Sequence, residues 1–176
     1  MNQRNLSFAW LGSILLLAVF AGFSWTEVML TAEAGGQGIE VTGYSAFPVI
    51  SALLLLQGAS FLASFLTPVI VGRWIAGLLS PVMLGHAVLL SQSLDEGLQS
   101  SLVRSLIEIT GVAGSASQMQ FVASSNSTFV WVGYLVAIGV NVIVLAGKAF
   151  LNAGPAKRHT SKEVLIDSDD LWESQK

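Results

Sequence analysis

The sequence predicts an all-α membrane protein: a four-helix transmembrane bundle carrying a short extracellular β-hairpin and an extracellular amphipathic helix. Three observations predict it: four apolar runs of span length, almost no charge inside them, and Lys and Arg gathered on one side of them. Of 176 residues 53% are hydrophobic and only 11% charged, with mean hydropathy +0.68. An average soluble domain is about 25% charged, so the bilayer is the fitting solvent.

Residues 1–7 form a cytoplasmic N-terminus and the first span covers 8–25. The others cover 45–66, 74–91 and 129–150. Each is near the roughly 20 residues that a 1.5 Å rise requires to cross about 30 Å of hydrocarbon. Backbone groups have no water to bond there, and the runs do not alternate as barrel strands would, so helix is the reading. Trp25, Trp74 and Trp131 fall at span ends, where an indole suits the headgroup layer.

Arg4, the Arg73 turn at 67–73, and Lys148, Lys157, Arg158 and Lys162 lie on one side, whereas the two opposite loops hold only Arg104. Positive charge is retained inside, which places both termini in the cytoplasm of a plasma-membrane protein. One rival reading takes Arg4, the Leu-rich run and Ala32-Glu33-Ala34 as a cleaved secretory signal.

In the first outer loop, 26–44, two alternating stretches, Thr26 to Thr31 and Ile39 to Thr42, flank Gly35-Gly36-Gln37-Gly38, which predicts a hairpin packed on the second outer loop. That loop, 92–128, opens with Ser93, Asp95 and Glu96 and spaces Leu98, Leu102, Leu106 and Ile109 helically until Gly111. An amphipathic helix lying over the bundle or at the interface is expected there, then an irregular linker over 115–127. In the cytoplasmic tail, 151–176, Leu171 and Trp172 stand among acidic residues and are candidate partner-docking positions.

Net charge is −3 and cysteine is absent, which excludes a basic nucleic-acid face, disulfides and thiolate chemistry. No nucleophile and base pair, zinc motif or phosphate loop stands out, so neither catalysis nor a cofactor or metal is expected. The span interiors contain no Asp, Glu, Lys or Arg, which argues against a proton- or sodium-coupled pump working as a monomer and leaves uncoupled conduction or an oligomeric pore open. The candidate intramembrane polar contacts are Gln57, His86 and Asn141. Gln57 and Asn141 lie at similar depth and suit a bond between helices, with ligand reading as the alternative, while a lone His86 suits packing better than metal binding. Small residues four apart, Gly77, Pro81 and Gly85, then Gly133, Ala137 and Asn141, mark close helix approach.

The ordered set of Trp25, Val41-Thr42-Gly43-Tyr44-Ser45-Ala46-Phe47-Pro48, Gly72-Arg73-Trp74, Ile109-Thr110-Gly111 and Asp169-Asp170-Leu171-Trp172 resembles the tryptophan-associated transmembrane proteins. These are small actinobacterial membrane proteins often encoded beside tryptophan biosynthesis genes. The likeness covers nearly the whole chain, although family tails continue past the Leu-Trp pair where this one ends at Glu173-Ser174-Gln175-Lys176. It implies the four-span topology and no named catalytic residue. The expected function is a scaffold, accessory subunit or assembly factor. Its expected partners are the lipid bilayer and a membrane protein or second copy. The alternative is transport of, or permeability to, a small molecule, with an aromatic amino acid suggested by the gene context of the family.

Overall fold

A computed structural model describes residues 3–111 and 119–150. Its four long helices are α1 (Gln3–Gly22), α3 (Val49–Leu66), α4 (Val69–Thr110) and α5 (Val130–Phe150), each long and apolar enough to cross a membrane. Three strands, β1 (Ser24–Leu30), β2 (Gly38–Thr42) and β3 (Val122–Ser127), form an antiparallel sheet of order β2-β1-β3 at one end of the bundle. A single helical turn, α2 (Gly43–Ala46), leads from β2 toward α3.

The end of α1 is tied to the segments that follow it by side-chain donors that reach its carbonyls. The Trp25 indole N–H donates to the Phe20 carbonyl at 2.9 Å, and the Tyr44 hydroxyl donates to that of Ala18 at 3.0 Å. Between Ser24 and Thr26 the pairing with β2 slips by one residue. The resulting bulge at Trp25 separates a ring aimed into the bundle from Val28 and Leu30, which face the core under the sheet. Trp25 is therefore not a headgroup anchor: it is 0% exposed, against Phe47 and Tyr134 at centroid distances of 6.0 and 5.5 Å. Trp74, by contrast, is exposed.

The expected hairpin strands are β1 and β2, joined through a 3-10 turn at Ala32–Ala34 and glycines in the left-handed region, Gly35 at φ 94° and Gly36 at φ 62°. Residues 122–127 are a third strand where an irregular linker was expected. Val122-Ala-Ser-Ser-Asn-Ser has no alternation to reveal it, and its backbone is ordered by the free edge of β1, with Thr26 opposite Ser127 and Val28 opposite Ser125.

Thr42 and Ser45 close a reciprocal capping box on α2, and Pro48 separates α2 from α3, so the second span divides into a turn and a helix. The turn expected over 67–73 shrinks to Thr67 and Pro68: α3 ends at Leu66 and α4 begins at Val69. A second correction is larger. The third span and the amphipathic segment are one helix of 42 residues, about 63 Å long and roughly twice the hydrocarbon thickness. It runs through Pro81 and closes at Gly111, whose φ of 68° suits a glycine cap. Leu98, Leu102 and Leu106 do share a face, but that face meets the sheet and not a membrane surface, and Ile109 is exposed.

Two apolar clusters result. Trp10, Leu17, Ile50, Met83, Ile138 and Leu145 belong to the one inside the bundle. Leu30, Ile39, Val41, Ala46 and Leu106 form the other beneath the sheet. The expected small-residue stripe on α4 is only partly inside, since Gly77 meets Ala149 while Pro81 and Gly85 are exposed. The stripe on α5 is turned inward, with Gly133 against the Phe20 ring and Ala137 and Asn141 buried.

Candidate functional site: the polar seam of α5

Tyr134, Asn141 and Lys148 recur every seventh residue along α5 and all are buried. A seven-residue repeat keeps one helix face turned toward its neighbours, with each position about 10 Å from the next. Ile138 and Leu145 fill the same seam between them. The opposing residues on α3, Gln57 and Ser64, have the same spacing, so α3 and α5 run parallel in register.

The middle level joins three helices. The Gln57 Nε2 donates to Asn141 Oδ1 at 2.9 Å, and Asn141 Nδ2 donates back to Gln57 Oε1 at 3.0 Å. Asn141 Nδ2 also donates to Ser13 Oγ on α1 at 2.8 Å, and the Ser13 hydroxyl donates onward to the Trp10 carbonyl at 2.7 Å. Gln57 is 1% and Asn141 0% exposed. Every polar heavy atom of the Asn141 amide has a protein partner, so the arrangement clamps α1, α3 and α5 together.

Nearer the sheet, His86 of α4 hydrogen-bonds the Tyr134 hydroxyl at 3.3 Å, ring edge to ring face at a centroid distance of 6.0 Å. His86 therefore stands apart from the amide pair, one heptad closer to the sheet. It borders a groove of about 320 Å³ between α3 and α4, whose wall includes the exposed Val49, Val82 and Leu89. At the opposite end, Lys148 Nζ donates to Ser64 Oγ at 3.2 Å and lies 4.2 Å from the centroid of the Trp10 ring.

The sequence-predicted pair Gln57 and Asn141 is thus in direct contact, and His86 is buried beside a different partner. Leu171 and Trp172 lie outside the described residues. Sequence reading missed Ser13, Tyr134 and Lys148. Serine is too common to single out Ser13, but the exact repeat of polar residues at 134, 141 and 148 is visible in the sequence. Lys148 was read as a basic residue following the fourth span, and it lies inside the helix, turned into the bundle. Among the described residues no group of three or more His, Asp or Glu is placed to hold a metal ion. The seam can hold helices in register, and it offers hydrogen bonds at each of its three levels, the His86–Tyr134 pair included. Comparison with protein-family models, with curated proteins and with solved structures finds no match to this chain.

Proposed function

We propose that the protein is a non-catalytic integral membrane scaffold, accessory subunit or assembly factor of the plasma membrane, with both termini cytoplasmic and the sheet exported. The observation that carries this reading is the closed middle level of the seam. Gln57, Asn141 and Ser13 bond to one another across three helices, which suits fixing a bundle and leaves no amide facing a solute path. Contact with a partner falls to the sheet, whose β3 edge is exposed over 123–127. A sheet edge offers unpaired backbone groups to a second protein or a second copy. Likeness to the tryptophan-associated family, carried by the sequence motifs alone, agrees with this topology.

A photo-crosslinking residue at Ser125, followed by purification of the full chain in mild detergent and identification of the adduct, tests the reading. The expected result is one defined protein adduct, with Gly36→Cys labelled from outside the cell. Labelling of position 36 only from the cytoplasm would overturn the topology. The second reading, a transport or permeability role for a small molecule such as an aromatic amino acid, is favoured by the groove beside His86. Altered uptake or efflux of labelled tryptophan in a deletion strain, with no adduct at Ser125, would replace the scaffold by that reading.

A further inference from the structure

The end of the bundle opposite the sheet holds a cavity of about 360 Å³ between α1, α3, α4 and α5. Its wall carries two cations, Lys148 and Arg73, and three hydroxyls, Ser7, Ser64 and Thr67, and Phe65 stands exposed at its margin. A volume of that size lies in the range of about 300–1,000 Å³ used for small ligands.

Lys148 is 6% exposed although it sits near the end of its helix, where a lysine ordinarily extends its ammonium toward water. Here the ammonium turns inward instead. Its two contacts, the Ser64 hydroxyl and the Trp10 ring, are both uncharged. The described parts of α1, α3 and α5 contain no Asp or Glu, and the first acidic residue of α4 is Asp95, about 33 Å along the helix from Arg73. The buried positive charge is therefore not neutralised by any carboxylate among the described residues at this end, and Arg73 adds a second charge to the same wall.

The donors define the ligand further. The Ser64 and Thr67 hydroxyls already donate to the Phe61 and Ala63 carbonyls, and the Arg73 Nε donates to the Ala149 carbonyl at 3.1 Å. An ammonium has three protons and Lys148 places one on Ser64, which leaves the rest of the ammonium, and not the Ser64 or Thr67 hydroxyl, to recognise an occupant. Such a site selects a compact anion with several acceptor oxygens over a neutral polar group.

We propose that this cavity binds a phosphate group, either the phosphodiester of an acidic lipid headgroup or free inorganic phosphate, with Lys148 as its ion-pair partner and Arg73 beside it. Its level beside the α3–α4 turn is that of a headgroup layer when the four helices span a bilayer.

The test is native mass spectrometry of the full chain in mild detergent with phosphatidylglycerol, phosphatidylcholine or inorganic phosphate added. One phosphatidylglycerol is expected to remain bound under activation that strips phosphatidylcholine. Lys148→Met and Arg73→Gln are each expected to weaken that retention by about tenfold or more, as loss of a charge-assisted bond implies, and Lys148→Arg is expected to retain it. Competition by inorganic phosphate, with a rise in melting temperature from phosphate alone, would identify the free ion as the occupant. Neutralising Lys157, Arg158 and Lys162 in the tail is expected to change nothing. Equal retention of phosphatidylcholine, wild-type retention in both Lys148→Met and Arg73→Gln, or loss on neutralising the tail would overturn the proposal. Should Lys148→Met fail to fold, Arg73→Gln and the tail variant decide it.

Discussion

Replacing Asn141 by Leu tests whether the middle of the bundle is a structural clamp. Asn141 takes part in two bonds with Gln57 and one with Ser13. Hydrogen bonds between membrane helices average about 0.6 kcal/mol each, so three are worth about 2 kcal/mol. Leu has the same branching and number of side-chain heavy atoms but strands the Gln57 amide, which adds roughly 1–3 kcal/mol where no new partner is found. Asn141→Leu is therefore expected to cost about 3–5 kcal/mol, and Gln57→Leu somewhat less because Asn141 keeps Ser13. The decisive quantity is the double variant. Once both amides are gone neither is stranded, so Gln57→Leu/Asn141→Leu is expected to cost about 1–3 kcal/mol less than the sum of the singles. Reversible unfolding of the full chain in mixed micelles, followed by steric trapping, measures all four corners of the cycle. A coupling within about 0.5 kcal/mol of zero would refute the clamp, since residues in one network cannot be additive.

Two further outcomes follow from packing and charge. A Cβ on Gly43 would lie 2.6 Å from Trp25 Cζ2 and 3.0 Å from the Ala21 carbonyl oxygen, and that indole is fixed by its bond to Phe20. Gly43→Ala is expected to cost about 1–3 kcal/mol by overpacking, whereas Gly58→Ala, with open space around the added carbon, leaves the melting temperature unchanged or raises it. Glu27 stands opposite Glu40 across β1 and β2, both exposed. Glu40→Thr removes a like-charge pair and is expected to stabilise the sheet by about 0.2–1 kcal/mol, read as slower hydrogen exchange of the β1 amides and a difference that shrinks at high salt.

Much of the helical architecture was legible because a span is defined by what it lacks. Each of the four long helices contains at least 18 successive residues free of Asp, Glu, Lys and Arg, and the similar depth of Gln57 and Asn141 made their contact an available one. The length of α4 was hidden for a physical reason. A helix entering water needs only a change of side-chain polarity, so Ser93, Asp95 and Glu96 read as the start of a new helix while the backbone continues unbroken. β3 was hidden because its order comes from the β1 edge and not from its own residues, five of which are exposed. Lys148 was misread because a charge near a span end usually faces the headgroups, and only the tertiary positions of Trp10 and Ser64 turn it inward.

The two clusters have different owners, one among the long helices and one beneath the sheet. Leu106 is 1% exposed and belongs only to the cluster beneath the sheet, whereas Phe47 and Leu98 pack against both clusters. Leu106→Ala is expected to cost about 2–5 kcal/mol, by lost burial and the cavity left behind. The sheet cluster has only five buried residues, so it has little to redistribute, and the loss should appear as opening of the sheet. The bundle keeps its own core and its amide clamp. Hydrogen exchange of the full chain in detergent is expected to show faster exchange in β1, β2 and β3 with protection of α5 around Asn141 unchanged. Equal loss of protection in α5 would show one cooperative unit and remove the division. If the division holds, the sheet can change while the helical bundle stays folded, as the proposed assembly role requires.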